Sequence, residues 1–121
     1  MTKITRMEIM RLTSIKDVVG NDYHEDWRTE CIGGQGLVLF EELVRKIITR
    51  ESLKFYCTKD GVFMDELQTS YGSIVEENKE RIVFKTRNSI YTFEFENTLP
   101  DDTKEAMFRF GKEEKEKLEF K

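Results

Sequence analysis

The chain is poor in several residue types, and each shortage removes a class of explanation. Among its 121 residues it has one proline (Pro100), one alanine (Ala106), one tryptophan (Trp27), one histidine (His24) and two cysteines. A single histidine leaves no HxH, HxxxH or HExxH spacing, so a zinc site has no ordinary ligand set. Cys31 and Cys57 lie far apart and belong to no CxxC-like pattern, which points to reduced thiols in a cytoplasmic protein. The longest apolar run covers only residues 37–40, so no segment reads as a membrane span or a secretory leader. A basic surplus is also missing. The formal charge of −4 argues against general nucleic-acid binding, because neutralising phosphates needs a basic surface. No cofactor or metal is expected.

What is abundant is aromatic and charged. Nine Phe, four Tyr and a charged fraction of 36% suit a packed domain rather than a disordered one. Abundant Lys, Glu, Ile and Phe beside a single Ala match the codon bias of an AT-rich genome, that of a bacterium or its phage. Residues 1–36 give no clear period. Ile4, Met7, Ile15 and Val19 permit a helical face, whereas Met10 with Leu12, or Met7 with Ile9, permits a strand. Residues 37–51 read as an amphipathic helix, with Leu37, Phe40, Leu43, Val44, Ile47 and Ile48 on one face. Glu41 with Arg45, and Glu42 with Lys46, fall at the favourable i,i+4 spacing.

From residue 53 the period becomes two. Asp60-Gly61 signals a tight hairpin that sets Thr58 opposite Phe63 and Cys57 opposite Met64. A tight turn at Asn78-Lys79 would set Val75 opposite Ile82 and Glu76 opposite Arg81. A turn at Arg87-Asn88 sets Phe84 opposite Tyr91, Ile82 opposite Phe93 and Arg81 opposite Glu94. A slip by one residue would expose the aromatics, so this last register is strongly specified. After Pro100, Asp102 and Glu105 suggest a capping box. A helix over residues 101–111 follows, with Ala106, Met107 and Phe110 docking on the sheet and Gly111 as its stop. Residues 112–121 form a charged tail. The expected fold is one α+β domain over residues 1–121: an antiparallel meander of about four to six strands, with a helix before it and a helix after it.

Candidate chemistry is sparse. Gly33, Gly34 and Gly36 precede the expected first helix, where backbone N–H groups attract anions. The loop lacks the Lys-Ser/Thr of a P-loop, and a flexible turn accounts for it equally. His24 with Asp22, Glu25 and Asp26 reads as a solvated acidic loop. Neither cysteine has a base beside it in sequence, and no acid–base pair is spaced for catalysis, so an enzyme is not expected. Arginines beside aromatics are the better signal. Arg28 follows Trp27, Arg87 and Asn88 sit at a hairpin tip near Tyr91, and Arg109 lies between Phe108 and Phe110. Guanidinium forks suit phosphate, and aromatic faces suit a base. The same arginines equally cover aromatic surface.

Two resemblances accompany these residues. Thr86-x-Asn88-Ser89-x-Tyr91-x-Phe93 resembles a pattern in small accessory proteins of phages and prophages from AT-rich Gram-positive hosts. That resemblance implies a viral, non-enzymatic counter-defence protein in the host cytoplasm. It would sequester a phosphorylated nucleotide-like ligand, as the Thoeris anti-defence sponges do, or block a host defence protein. The run Asp60-Gly61-Val62-Phe63, then Gly72-Ser73-Ile74, then Lys79-Glu80-Arg81-Ile82-Val83 is similar to YolD-like proteins. It implies instead an SH3-like regulatory domain with a protein partner. A small sheet with free edges also predicts a homo-oligomer.

Overall fold

A computed structural model describes all residues except 1, 23–26, 46, 65, 120 and 121, together with all side chains of these residues except that of residue 119. Eight strands run in chain order, β1 (Thr2–Asp17), β2 (Gln35–Arg45), β3 (Ile48–Lys59), β4 (Val62–Phe63), β5 (Leu67–Gln68), β6 (Gly72–Glu77), β7 (Arg81–Thr86) and β8 (Ser89–Phe95). A short 3-10 turn (Trp27–Cys31) follows β1, and one helix among the described residues, α1 (Asp101–Glu119), follows β8. The pairings close on themselves. β2 pairs with β1 and β3, β3 with β6, β6 with β7, β7 with β8, and β8 with β1, all antiparallel. The result is a six-stranded up-and-down barrel, with β4 and β5 attached to the second edge of β3.

The expected helix over residues 37–51 is therefore overturned, and with it the fold of a meander between two helices. Residues 37–40 are buried on both faces. Val38 and Phe40 point into the barrel core, while Leu37 and Leu39 lie in a second cluster beneath α1. A strand covered on both sides carries a continuous apolar run, which satisfies a helical template as readily as an extended one. Glu41 does not meet Arg45 along a helix. Its carboxylate lies 3.3 Å from Lys54 Nζ on the neighbouring strand. Ile47, assigned to the buried helical face, is 98% exposed at the hairpin tip.

Residues 1–36 are also corrected, since most of them form β1 and the 3-10 turn. Two register shifts, between Ile4 and Arg6 and between Leu12 and Ser14, break the alternation and explain its ambiguity. The residues left inside these bulges satisfy displaced acceptors. Thr5 Oγ1 donates to the Phe40 carbonyl at 3.3 Å, and Thr13 Oγ1 donates to the Thr92 carbonyl at 3.1 Å. With the bulges allowed for, Ile4, Met7 and Ile9 face α1, and Met10, Leu12 and Ile15 face the barrel interior.

The later hairpins follow their residues more closely. Asp60 and Gly61 take φ of 53° and 79°, as a primed turn demands, and Thr58 opposes Phe63. The Met64 N–H donates to the Cys57 carbonyl at 2.9 Å. In the β7–β8 hairpin, Phe84 opposes Tyr91, Ile82 opposes Phe93 and Arg81 opposes Glu94. All four apolar members are buried in the barrel. The turn before β7 differs from expectation. Asn78 Oδ1 accepts the N–H groups of Glu80 and Arg81 at 2.8 and 3.0 Å, which lengthens the turn and sets Glu77, not Val75, opposite Ile82. Val75 falls in a register shift and is 55% exposed. Glu76 opposes Val83 rather than Arg81, although its carboxylate lies 2.6 Å from Arg81 Nε.

α1 runs through the expected stop and takes in most of the expected charged tail. Gly111 is buried within it, where a Cβ would lie 2.7 Å from Met7 Sδ and 3.0 Å from Leu37 Cδ2. The glycine lets the helix approach the sheet; it does not end the helix. Met107, Phe108 and Leu118 supply the docking face, and Phe110 stacks edge-on against Tyr56 at 5.0 Å. Ala106 points outward. Asp102 lies inside the first turn and accepts the Thr103 N–H at 2.9 Å, rather than forming a box with Glu105.

Candidate functional site

The sequence-derived candidates fall into separate places. The first is one end of the barrel, where the 3-10 turn lies over the core. Arg28 Nη1 donates to the Tyr91 hydroxyl and to Ser89 Oγ, the latter at 3.4 Å, and its guanidinium lies 5.8 Å from the Tyr91 ring centre. Tyr91 is buried, so its face is not offered to a base. Arg28 thus holds the turn against the barrel, with Cys31 buried beneath it. Trp27 is half-exposed on the same turn. Arg87 and Asn88 are exposed at the adjacent β7–β8 tip.

The glycines have structural tasks at this same end. The helix whose N-terminus they were expected to open is a strand. Gly33 donates its N–H to the Leu12 carbonyl at 2.7 Å, and Gly34 donates to the Cys31 carbonyl at 2.9 Å. Gly36 lies between Met10 and Cys57 in the sheet, and a Cβ there would sit 1.9 Å from the Tyr56 carbonyl oxygen. These N–H groups are engaged within the chain rather than aimed at an anion. The other place is the outer face of α1, where Arg109 is exposed, on the helix that packs against β1 and β2. His24, Glu25 and Asp26 lie outside the described residues. No group of three or more His, Cys, Asp or Glu side chains able to hold a metal occurs among the described residues.

The structure brings together a different set. The β2–β3 hairpin extends past the barrel because β6 touches β3 only at Gly72–Glu51. Three adjoining clefts open along this divergence, of about 380, 500 and 480 Å³, and Tyr71 lines all of them. The smallest is walled by Leu43, Ile48 and Tyr71, with Arg45 and Arg50 as its only charged lining among the described residues. Arg50 lies 5.4 Å from the Tyr71 ring centre, a cation–π geometry. Tyr71 is 45% exposed. The alternation of β2 and β3 places residues 41, 43 and 45, and residues 50, 52 and 54, on the outer face of the hairpin. Leu43 therefore stands opposite Arg50 in the pairing.

The neighbouring cleft is more polar. Lys54 at its floor lies 3.3 Å from Glu41 and 3.8 Å from Glu66. Glu41 Oε1 is buried and, among the described residues, accepts no hydrogen bond despite its closeness to Lys54. Burial, with Glu66 nearby, pushes the Tyr56 phenol up, so it stays protonated on this face. Sequence reasoning missed Leu43, Arg45, Arg50 and Tyr71 as a group. Their only local signal was the proximity of Arg45 and Arg50, which the helical reading of residues 37–51 placed on a single helix. An aromatic face flanked by two guanidinium groups can stack a planar ring and hold an anion beside it.

No described helix is long and apolar enough to cross a membrane. Neither a protein-family model, nor a curated protein, nor a solved structure matches this chain.

Proposed function

We propose that this is a non-enzymatic binding protein whose ligand is small, phosphorylated and ring-bearing, held in the cleft at Tyr71. One observation carries the reading: among the described residues, Arg45 and Arg50 are the charged lining of an otherwise apolar cleft built around a half-exposed tyrosine. In a chain of net charge −4, two guanidinium groups without an acid beside them in that lining form a local anion-selective spot. Tyr71 supplies a face for a base, and Leu43 and Ile48 supply the apolar wall that small-molecule sites use. A nucleotide fits this chemistry. Sequestration of such a signal in the host cytoplasm, as the resemblance to phage accessory proteins implies, needs binding alone and no catalytic group.

The test is calorimetry with a panel of linear and cyclic nucleotides and the matching unphosphorylated nucleosides. At least one nucleotide binds the natural chain, and its nucleoside binds more weakly. Arg50→Ala weakens the nucleotide by tenfold or more, about 1.4 kcal/mol, while leaving the thermal midpoint in place. A panel without any binder removes the reading.

A protein partner is the second reading, and β6 favours it. Residues 73–77 have no strand on their second edge among the described pairings, so an extended peptide can add there. This edge is also what remains of the argument for a homo-oligomer, since barrel closure removes the other long edges. Val75→Pro, which removes an edge N–H, would abolish such a partner and spare nucleotide binding.

A further inference from the structure

Two thiols meet under the 3-10 turn. Cys31 ends that turn and Cys57 comes from β3. Both are buried in the barrel core cluster, and neither is in a disulfide. Burial first, then the neighbouring Cys31, pushes the Cys57 thiol up to about 12. The chain wraps the pair tightly. A Cβ on Gly34 would lie 2.8 Å from Cys57 Sγ and 2.9 Å from the Cys31 carbonyl oxygen, so only glycine passes here. Lone core cysteines act as small apolar residues. Two in mutual contact, one on the barrel wall and one on the element that covers its end, have a further chemistry open to them.

We propose that Cys31 and Cys57 form an oxidisable dithiol, a modification site that a small disulfide such as oxidised glutathione converts to an intramolecular disulfide. The thiolate of one cysteine attacks a glutathione sulfur, giving a protein–glutathione mixed disulfide and releasing one glutathione thiolate. The second protein thiolate then attacks the protein sulfur of that mixed disulfide, forming the Cys31–Cys57 bond and releasing the second glutathione. Two protein thiols are oxidised, one small disulfide is reduced to two thiols, and the two protons pass to the released glutathione. Attack requires access, so the 3-10 turn has to swing out first. Two tethers oppose that motion: Arg28 on Ser89 and Tyr91, and Lys59 Nζ donating to the Glu30 carbonyl at 3.2 Å. The bond, once made, fixes the turn to β3 and keeps Arg28 over Tyr91.

The experiment exposes the folded full chain to oxidised glutathione at mildly alkaline pH, beside a urea-unfolded sample. Both are then denatured and labelled with N-ethylmaleimide for intact-mass measurement. The folded chain is expected to lose both labelling sites and to yield a linked peptide pair carrying Cys31 and Cys57. Its thermal midpoint rises and returns on treatment with dithiothreitol. Arg28→Ala, which frees the turn, oxidises faster than the natural chain. The proposal is overturned if the folded chain keeps two labels after an exposure that fully oxidises the unfolded one. A stable glutathione adduct on a single cysteine, or a disulfide between chains in place of the internal one, overturns it equally.

Discussion

Glu96 shows how much of this structure is held by single polar residues. It follows β8 and is buried, yet its carboxylate is fully engaged. Oε2 accepts Arg11 Nη2 at 2.9 Å and Nε at 3.1 Å, while Oε1 accepts the Thr98 N–H at 2.9 Å and the Thr98 hydroxyl. Burial acts to raise its pKa, but the Thr98 and Arg11 bonds together outweigh that and hold it below the usual carboxylate value of 4.5. A depressed folded value means the contribution to stability is complete above pH 4.5 and is lost as the pH falls further. Glu96→Gln is expected to cost about 2 kcal/mol at neutral pH, because it weakens charge-assisted bonds at a buried site. Urea unfolding of both proteins at neutral and acidic pH checks this. The natural chain loses more stability on acidification than the variant does, and equal losses would remove Glu96 as the cause. None of this was legible beforehand, since Arg11 and Glu96 are distant in sequence and meet only when β1 pairs with β8.

At the scale of elements, legibility follows locality. The β7–β8 hairpin could be read in register because its two strands adjoin and each alternates, with Phe84 over Tyr91 and Ile82 over Phe93. β2 could not, because its second covered face comes from α1, more than fifty residues later in the chain. β1 was obscured by its two bulges, which shift the alternation that a period-two reading requires. Gly36 is the sharpest test of the corrected β2. Just ahead of a helix starting at residue 37, a Gly36→Ala change would cost about 1 kcal/mol at most. In the barrel it drives a Cβ to 1.9 Å from the Tyr56 carbonyl oxygen and 2.6 Å from the Cys57 Cα. Backbone cannot yield as a flexible side chain does, so the expected loss is about 3 kcal/mol, read as a lower urea midpoint. An unchanged or raised midpoint would contradict the strand pairing.

At the scale of the whole molecule, closure organises both the core and the candidate site. Six strands wrap an interior of Phe40, Phe55, Phe84, Tyr91 and Phe93 with their aliphatic neighbours, while α1 covers the outer face of β1 and β2. The ring is nearly split where β6 leaves β3, and the clefts at Tyr71 occupy that divergence. The sequence could not show them, because residues 43–50 and Tyr71 come together only through the barrel's register. The arginines it did single out divide among a barrel-end tether, a hairpin tip and a helix surface. The account therefore stands on one location. Titrating the isotope-labelled chain with nucleotides that bind it, followed by amide chemical-shift mapping, tests that location directly. The shifts are expected at residues 43–45, 48–50 and 71–73. Shifts concentrated at Arg28, Arg87 and Asn88, with the Tyr71 cleft unmoved, would contradict it.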